Sequence, residues 1–254
     1  MGNLRPSVCI DAVFEDLDDE QSILAVREAG IEAFEFWGWW DRDLEKLLRT
    51  KESTGLSVSA CCTHFISLVD MVCREQYVEG VKKSIEAAKR LDCHTLISQV
   101  GDALSDRSRE AQYVSLVDGL RCVAPFLEQA GITLVIEPLN VLVNHPGYFL
   151  VESGEAFDII DSVGSSNVKV VFDIYHQQVS EGNVISNLVS NIDKIGHFHA
   201  AGNPGRHELT RGELNYRKIF EAIQATDYEG FVGLEYWPVD EPMSGLREIA
   251  SWFS

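Results

Sequence analysis

Four residues of this chain, Glu137, Asp173, His199 and Glu235, are of types that bind a divalent cation, and each ends a short apolar run. The runs are Thr133-Leu134-Val135-Ile136 before Glu137, Lys169-Val170-Val171-Phe172 before Asp173, Gly196-His197-Phe198 before His199 and Phe231-Val232-Gly233-Leu234 before Glu235. The intervals between the four are 36, 26 and 36 residues, each about one strand plus one helix. Side chains so spaced converge if the runs are neighbouring parallel strands that start at one end and finish at the other. Three carboxylates brought together raise one another's pKa, a cost that a cation among them removes. Carboxylate oxygens and one imidazole, with no thiolate, suit one divalent metal ion, with Mn²⁺ first, Mg²⁺ or Co²⁺ next and Zn²⁺ a further option.

The rest of the chain supplies the strands and helices that such a site needs. Short β-branched runs at 8–12, 33–37, 57–61, 95–100, 133–137, 169–173, 196–199 and 231–235 predict eight strands. Amphipathic stretches separate them, as at 76–91, where Val78, Val81, Ile85, Ala88 and Leu91 recur at helical spacing, and at 111–129. Gly30, Gly55 and Gly131 stand between a helical pattern and the next strand, where helix-ending glycines belong. Eight β-α units in 254 residues predict one (β/α)8 TIM barrel over 1–254, with catalytic groups at the C-terminal ends of the strands. A doubly wound open sheet is the competitor. It would want a glycine-rich phosphate loop after the first strand, where this chain has Ala12-Val13-Phe14-Glu15-Asp16.

A net charge of −19, from 21 basic and 40 acidic residues, repels nucleic-acid backbones and anionic membranes, and there is no local basic patch. The six cysteines form no C-x-x-C pair and are expected to be small core side chains in a reduced cytosol. With no leader-like N-terminus and no run long enough to span a membrane, a cytoplasmic protein is expected.

Several longer motifs carry a family likeness. Glu137-Pro138-Leu139-Asn140, Phe172-Asp173-Ile174-Tyr175-His176-Gln177, Gly196-His197-Phe198-His199 and Gly202-Asn203-Pro204-Gly205-Arg206-His207-Glu208 resemble the hydroxypyruvate isomerase family. That family lies within the xylose-isomerase-like barrels, with D-tagatose 3-epimerase and the endonuclease IV type of repair enzyme. The likeness is close over 132–238 and thin over the first half of the chain. It implies a divalent metal held by Glu137, Asp173, His199 and Glu235, a sugar or keto-acid as substrate, and a homodimer or homotetramer. The chain departs from the hydroxypyruvate isomerase pattern at His199 and Trp237, where that pattern has Gln and Lys. At Val143 it departs from the epimerases, which have Glu there, and it carries instead the isomerase-type stretch Pro146-Gly147-Tyr148-Phe149-Leu150.

The chemistry expected is isomerisation or epimerisation of a hydroxy-carbonyl compound, by proton transfer through an enediolate stabilised by the metal. Glu137 and Glu235 are expected to exchange the proton as base and acid. His176, three residues after Asp173, resembles the family's ligand for a substrate oxygen, and Arg206 is expected to bind a substrate hydroxyl or carboxylate. His64 and Trp37 complete the expected substrate-binding set, with Trp39 and Trp40 as further aromatic wall. Glu35 and Gln99 are placed to reach the rim, and His197, one layer below His199, to bond a carboxylate from behind. The rival readings are a metal-dependent lyase or dehydratase acting on a keto-sugar or inosose, a nuclease of the endonuclease IV type, and a binding barrel without catalysis.

Overall fold

The computed structural model describes residues 2–253 and is a closed barrel of eight parallel strands in sequential order. The strands are β1 Arg5–Cys9, β2 Ala33–Phe36, β3 Ser57–Cys62, β4 Thr95–Ser98, β5 Thr133–Ile136, β6 Val168–Asp173, β7 Ile195–Ala200 and β8 Phe231–Leu234. Closure comes from β1 pairing with β8, Arg5 opposite Phe231 and Val8 opposite Leu234. The helices are α1 Ile10–Val13, α2 Asp19–Glu28, α3 Leu44–Thr54, α4 Arg74–Leu91, α5 Arg109–Ala130, α6 Ser153–Val163, α7 Ile174–Ser180, α8 Val184–Ser190, α9 Tyr216–Gln224 and α10 Pro242–Ala250. Among the described residues no helix is long and apolar enough to cross a membrane.

The barrel therefore forms as the alternation of short and long patterns predicts. The largest departure is the first strand, expected at 8–12 and found at Arg5–Cys9. Pro6 lacks an N–H and argues against a strand by sequence, yet it is tolerated in the second position of β1, opposite Val232. Ile10–Val13 then form a single helical turn that carries Asp11 out of the sheet. The cysteine expectation also needs correcting. Cys9, Cys61, Cys62 and Cys93 are buried as expected, but Cys73 is half-buried and Cys122 is exposed on α5.

Alternation along each strand divides the apolar side chains between two compartments. Val8, Phe34, Phe36, Leu96, Leu134, Phe172, Phe198 and Leu234 join the main core between barrel and helices. A smaller cluster of Ala60, Cys62, Ile97, Val135 and Val171 fills part of the barrel interior, with Trp37 against it. Several other inward positions are polar, including Ser7, Glu35, Ser59, Asp173, His197 and His199, all buried.

Helix ends follow the expected chemistry. Gly131 ends α5 with φ +66°, a conformation that costs an L-residue with a side chain about 1–2 kcal/mol. A Cβ there would meet no atom within 4 Å, so the cost is conformational alone. Gly131→Ala is expected to lower stability by about 1 kcal/mol and the melting temperature by about 2–4 °C, measured by circular dichroism. An unshifted melting curve would show that the turn relaxes without penalty.

Candidate metal and substrate site

Glu137 and Glu235 are the first residues beyond β5 and β8, Asp173 is the last residue of β6, and His199 lies near the end of β7. Each offers a ligand atom, and those atoms all lie within 4.8 Å of one another. All four residues are buried. His199 Nδ1 is 2.9 Å from Glu137 Oε1 and 3.3 Å from Glu235 Oε2. Arg206 Nη2 donates to Glu235 Oε2 at 2.5 Å and lies 3.7 Å from Asp173 Oδ2.

The local sequence explains these placements. Pro138 follows Glu137, and the carbonyls of both residues are tied down by neighbours. Tyr148 donates its hydroxyl to the Glu137 carbonyl at 3.2 Å while accepting from the Val100 N–H at 2.7 Å. Gln177 Nε2 donates to the Pro138 carbonyl at 3.1 Å. Asp173 caps α7, accepting from the His176 N–H at 3.0 Å, so a residue of the cluster also fixes the helix that carries His176. Glu208 accepts from the backbone N–H groups of Val239 and Asp240, joining the loop after β7 to the loop after β8.

The electrostatics suit a cation. Burial raises the pKa of Glu137, with Glu235 and Asp173 adding to it and His199 opposing. Burial disfavours charge on His199, but Glu235, Glu35 and Glu137 around it outweigh burial and raise its pKa well above the ordinary imidazole value. The same contest on Arg206, burial against Glu235 and Asp173, ends with its charge reinforced. Three buried carboxylates thus face one imidazole and one guanidinium. That donor set matches a hard divalent ion, and these residues fit one.

Above the cluster lies a cavity of about 230 Å³. Glu137, Glu235, His176 and Arg206 line it, as do Trp37 and Trp237 with ring centroids 6.3 Å apart. Gln99, Phe65, Leu139 and His145 complete the wall. A larger cavity, about 450 Å³, lies behind Trp237 among Phe14, Leu17, Pro242 and Met243; of the catalytic candidates it touches none, so the smaller one is the candidate substrate site.

His176 is held with unusual definition. Its Nδ1 accepts the Asn140 backbone N–H at 3.2 Å and lies 2.7 Å from Asn140 Nδ2. The ring proton therefore sits on Nε2, which is buried without a hydrogen-bond partner. Burial, with Arg206 nearby, holds the His176 pKa well below the ordinary value, so the ring is a neutral donor. Arg206 has φ +58° and its guanidinium lies over the rings of Trp237 and Tyr175, at 4.9 and 5.6 Å.

Not every sequence-derived site residue arrives at the cavity. His64 does not line it: its ring stacks on Trp40 at 4.4 Å and meets the edge of Trp39 at 5.1 Å, so aromatic packing takes it aside. Trp39 and Trp40 are likewise outside the lining, with the Trp39 indole donating to Ser84. Glu35 does not reach the rim; it is buried beneath His199, with Oε2 2.9 Å from His197 Nε2. His197 thus bonds a carboxylate from the layer below, the expected kind of partner. Trp37 does more than form a wall, since its indole N–H donates to Glu235 Oε1 at 2.8 Å. Its backbone N–H donates to Asp11 Oδ2 at 2.7 Å, and Asp11 pairs in turn with Arg42. Asp11 and Trp237 are site residues beyond the expected set; Trp237 follows Glu235 by two and so shares its side of the extended chain, a relation legible in the sequence.

Comparison with known proteins gives a consistent relationship. The family model for the xylose isomerase-like TIM barrel matches residues 23–254. The hydroxypyruvate isomerase of Escherichia coli is 32% identical, with 96% of this chain and 97% of that protein aligned. A 2-oxo-tetronate isomerase of Cupriavidus necator is 41% identical over 51% of this chain and 53% of that protein. Among solved structures, a Brucella melitensis protein described as an AP endonuclease of family 2 superposes with a TM-score of 0.92 at 27% identity, covering 99% of both chains.

Proposed function

The chain belongs to the xylose isomerase-like TIM barrel family, in the group that includes the hydroxypyruvate isomerases, and we propose that it is a divalent-metal-dependent isomerase or epimerase of a small sugar or keto-acid. The observation that carries this reading is the pair Glu137 and Glu235, whose carboxylates approach the same nitrogen of His199 at the floor of a sugar-sized cavity. The names of the relatives, hydroxypyruvate isomerase and 2-oxo-tetronate isomerase, support the substrate class.

Glu137, Asp173, His199 and Glu235 would hold the cation, Mn²⁺ in the first instance. When bound, it supplies Lewis-acid polarisation of the substrate carbonyl and acidifies the adjacent C–H. Glu137 and Glu235 transfer the proton between neighbouring carbons, or between the two faces of one carbon. Glu137 and Glu235 flank the cavity floor, the placement that a base and an acid acting on one bound substrate require. Neutral His176 donates its Nε2–H to a substrate oxygen without adding a charge. Arg206 keeps Glu235 oriented and offers the cavity its one guanidinium. Trp37 and Trp237 close the sides and limit water around the reacting carbons.

The nuclease reading draws support from the description of the Brucella protein. It is the weaker one, because the net charge of −19 opposes a DNA backbone. The two candidate donor groups among the described residues also share His199, so they do not make independent metal sites.

The test is a screen in D₂O. Metal-loaded protein is incubated with hydroxypyruvate, tetronates, pentuloses, hexuloses and inososes, and deuterium at substrate carbon is read by NMR after chelation. Deuterium entry with formation of an isomer is the expected result. Loss of water from the substrate would move the assignment to the lyase reading, and absence of exchange in every compound would remove the proposal.

A further inference from the structure

We infer that Glu35 is a positioning residue that fixes which nitrogen of His199 faces the cation, an inference that rests on Glu137, Asp173, His199 and Glu235 being the cation's ligands. Glu35 sits on β2, 2% exposed, inside the barrel and one layer below the cluster. Its Oε2 accepts from Ser59 Oγ at 3.0 Å and from His197 Nε2 at 2.9 Å, and Ser59 is itself 2.5 Å from Ser7 Oγ. Rotation of the carboxylate would break these bonds, so Oε1 has one direction to point. It points at His199, with Nε2 3.1 Å away. Neither Oε1 nor that Nε2 makes a hydrogen bond to another residue, so two buried polar atoms face each other at ion-pair distance.

The sequence makes room for this arrangement at one point. Gly233 on β8 lies where a Cβ would stand 2.1 Å from Glu35 Oε1 and 2.6 Å from its Cδ. The carboxylate therefore occupies the space a side chain at 233 would fill. Gly233 also pairs with His199 across the β7–β8 ladder, so the donor and the hollow that admits the acceptor are set by neighbouring strands.

The physical consequence concerns the two nitrogens of one ring. Without a cation, Nδ1 can hold a proton towards Glu137 and Glu235; when a cation takes that proton's place, an acceptor-only carboxylate beside Nε2 keeps the remaining ring proton there and leaves the Nδ1 lone pair for the cation. Without Glu35 the Nε2–H would be buried with no acceptor, and the tautomer carrying its proton on Nδ1 would compete, with no lone pair aimed at the cation. A carboxylate behind a metal-binding histidine typically contributes 10–100-fold in metal affinity by this route. The group formed by Glu35, His197 and His199 is thus read as a support for the cluster above it, since Glu35 Oε2 is taken by His197 and Ser59 and His199 is shared with that cluster.

The experiment uses the full-length protein stripped of metal. Wild type and Glu35→Ala are titrated with Mn²⁺ and Zn²⁺ by calorimetry, and Zn²⁺-loaded wild type is examined by long-range ¹H–¹⁵N correlation of the histidine rings. Glu35→Ala is expected to weaken both metals about 10–100-fold. Glu35→Gln, which retains a carbonyl acceptor, is expected to recover part of the loss. In the loaded wild type His199 is expected to carry its proton on Nε2, a signature that does not depend on any variant folding. A loaded His199 protonated at Nδ1, or a Glu35→Ala protein that binds within twofold of wild type, would overturn the inference. Failure of wild type to bind either metal would instead remove the underlying reading of the cluster, and the inference with it.

Discussion

Glu235→Gln is expected to lower deuterium exchange at the substrate carbon by about 10²–10⁴-fold while leaving cation binding within about tenfold of wild type. Gln keeps one oxygen for the cation, and the other three residues that would hold it, Glu137, Asp173 and His199, are unchanged. What the amide loses is the capacity to take up a proton. Arg206 loses its ionic partner at Glu235 but retains Asp173 at 3.7 Å, so the buried guanidinium is not stranded. Exchange followed by NMR, beside a calorimetric titration of the same preparation, separates the two effects. Deuterium entering the substrate at the normal rate in this variant would take Glu235 out of the proton path.

The second large effect is on stability. Without a cation, Glu137, Asp173 and Glu235 converge in a buried site where burial and mutual repulsion already raise the pKa of Glu137. A bound divalent ion removes that repulsion only in the folded state, since the unfolded chain scatters the four residues. At a free metal concentration 100 times the dissociation constant, linkage gives about 2.7 kcal/mol of added stability. For a chain of this length that corresponds to a rise in melting temperature of about 5–11 °C, reversed by chelator. Scanning fluorimetry with Mn²⁺ and with chelator measures it. The same rise in a protein carrying Glu137→Ala and Asp173→Ala would place the stabilising ion elsewhere.

The parts of this molecule that were legible in the sequence are those governed by local pattern. Runs such as Thr133-Leu134-Val135-Ile136 are short, apolar and β-branched, and the residue that ends each one is exposed to the rim whatever the rest of the fold does. The eight-fold repetition then leaves few alternatives to a barrel, so convergence of Glu137, Asp173, His199 and Glu235 follows from spacing. β1 lies three residues earlier than its local pattern indicates, because its pairing with β8 is decided by a segment more than 200 residues away. Contacts across the barrel were out of reach for the same reason. Nothing local to Trp37 says that its indole meets Glu235, 198 residues on, and nothing near Glu35 says that it lies against His197, 162 residues on. His64 shows the opposite failure. Its position after β3 points to the substrate, but two aromatic rings, Trp39 and Trp40, take it up in packing instead.

The hollow at Gly233 also constrains how this lineage can change. Positions 35 and 233 share one volume, so they are a single heritable unit although they lie on strands separated by β1. A descendant that acquires alanine at 233 while the acid persists passes through a protein with two groups in one space. The path that first shortens residue 35 avoids that clash but gives up the brace behind His199. Drift at either position is therefore ordered, with the glycine free to vary only after the acid has gone.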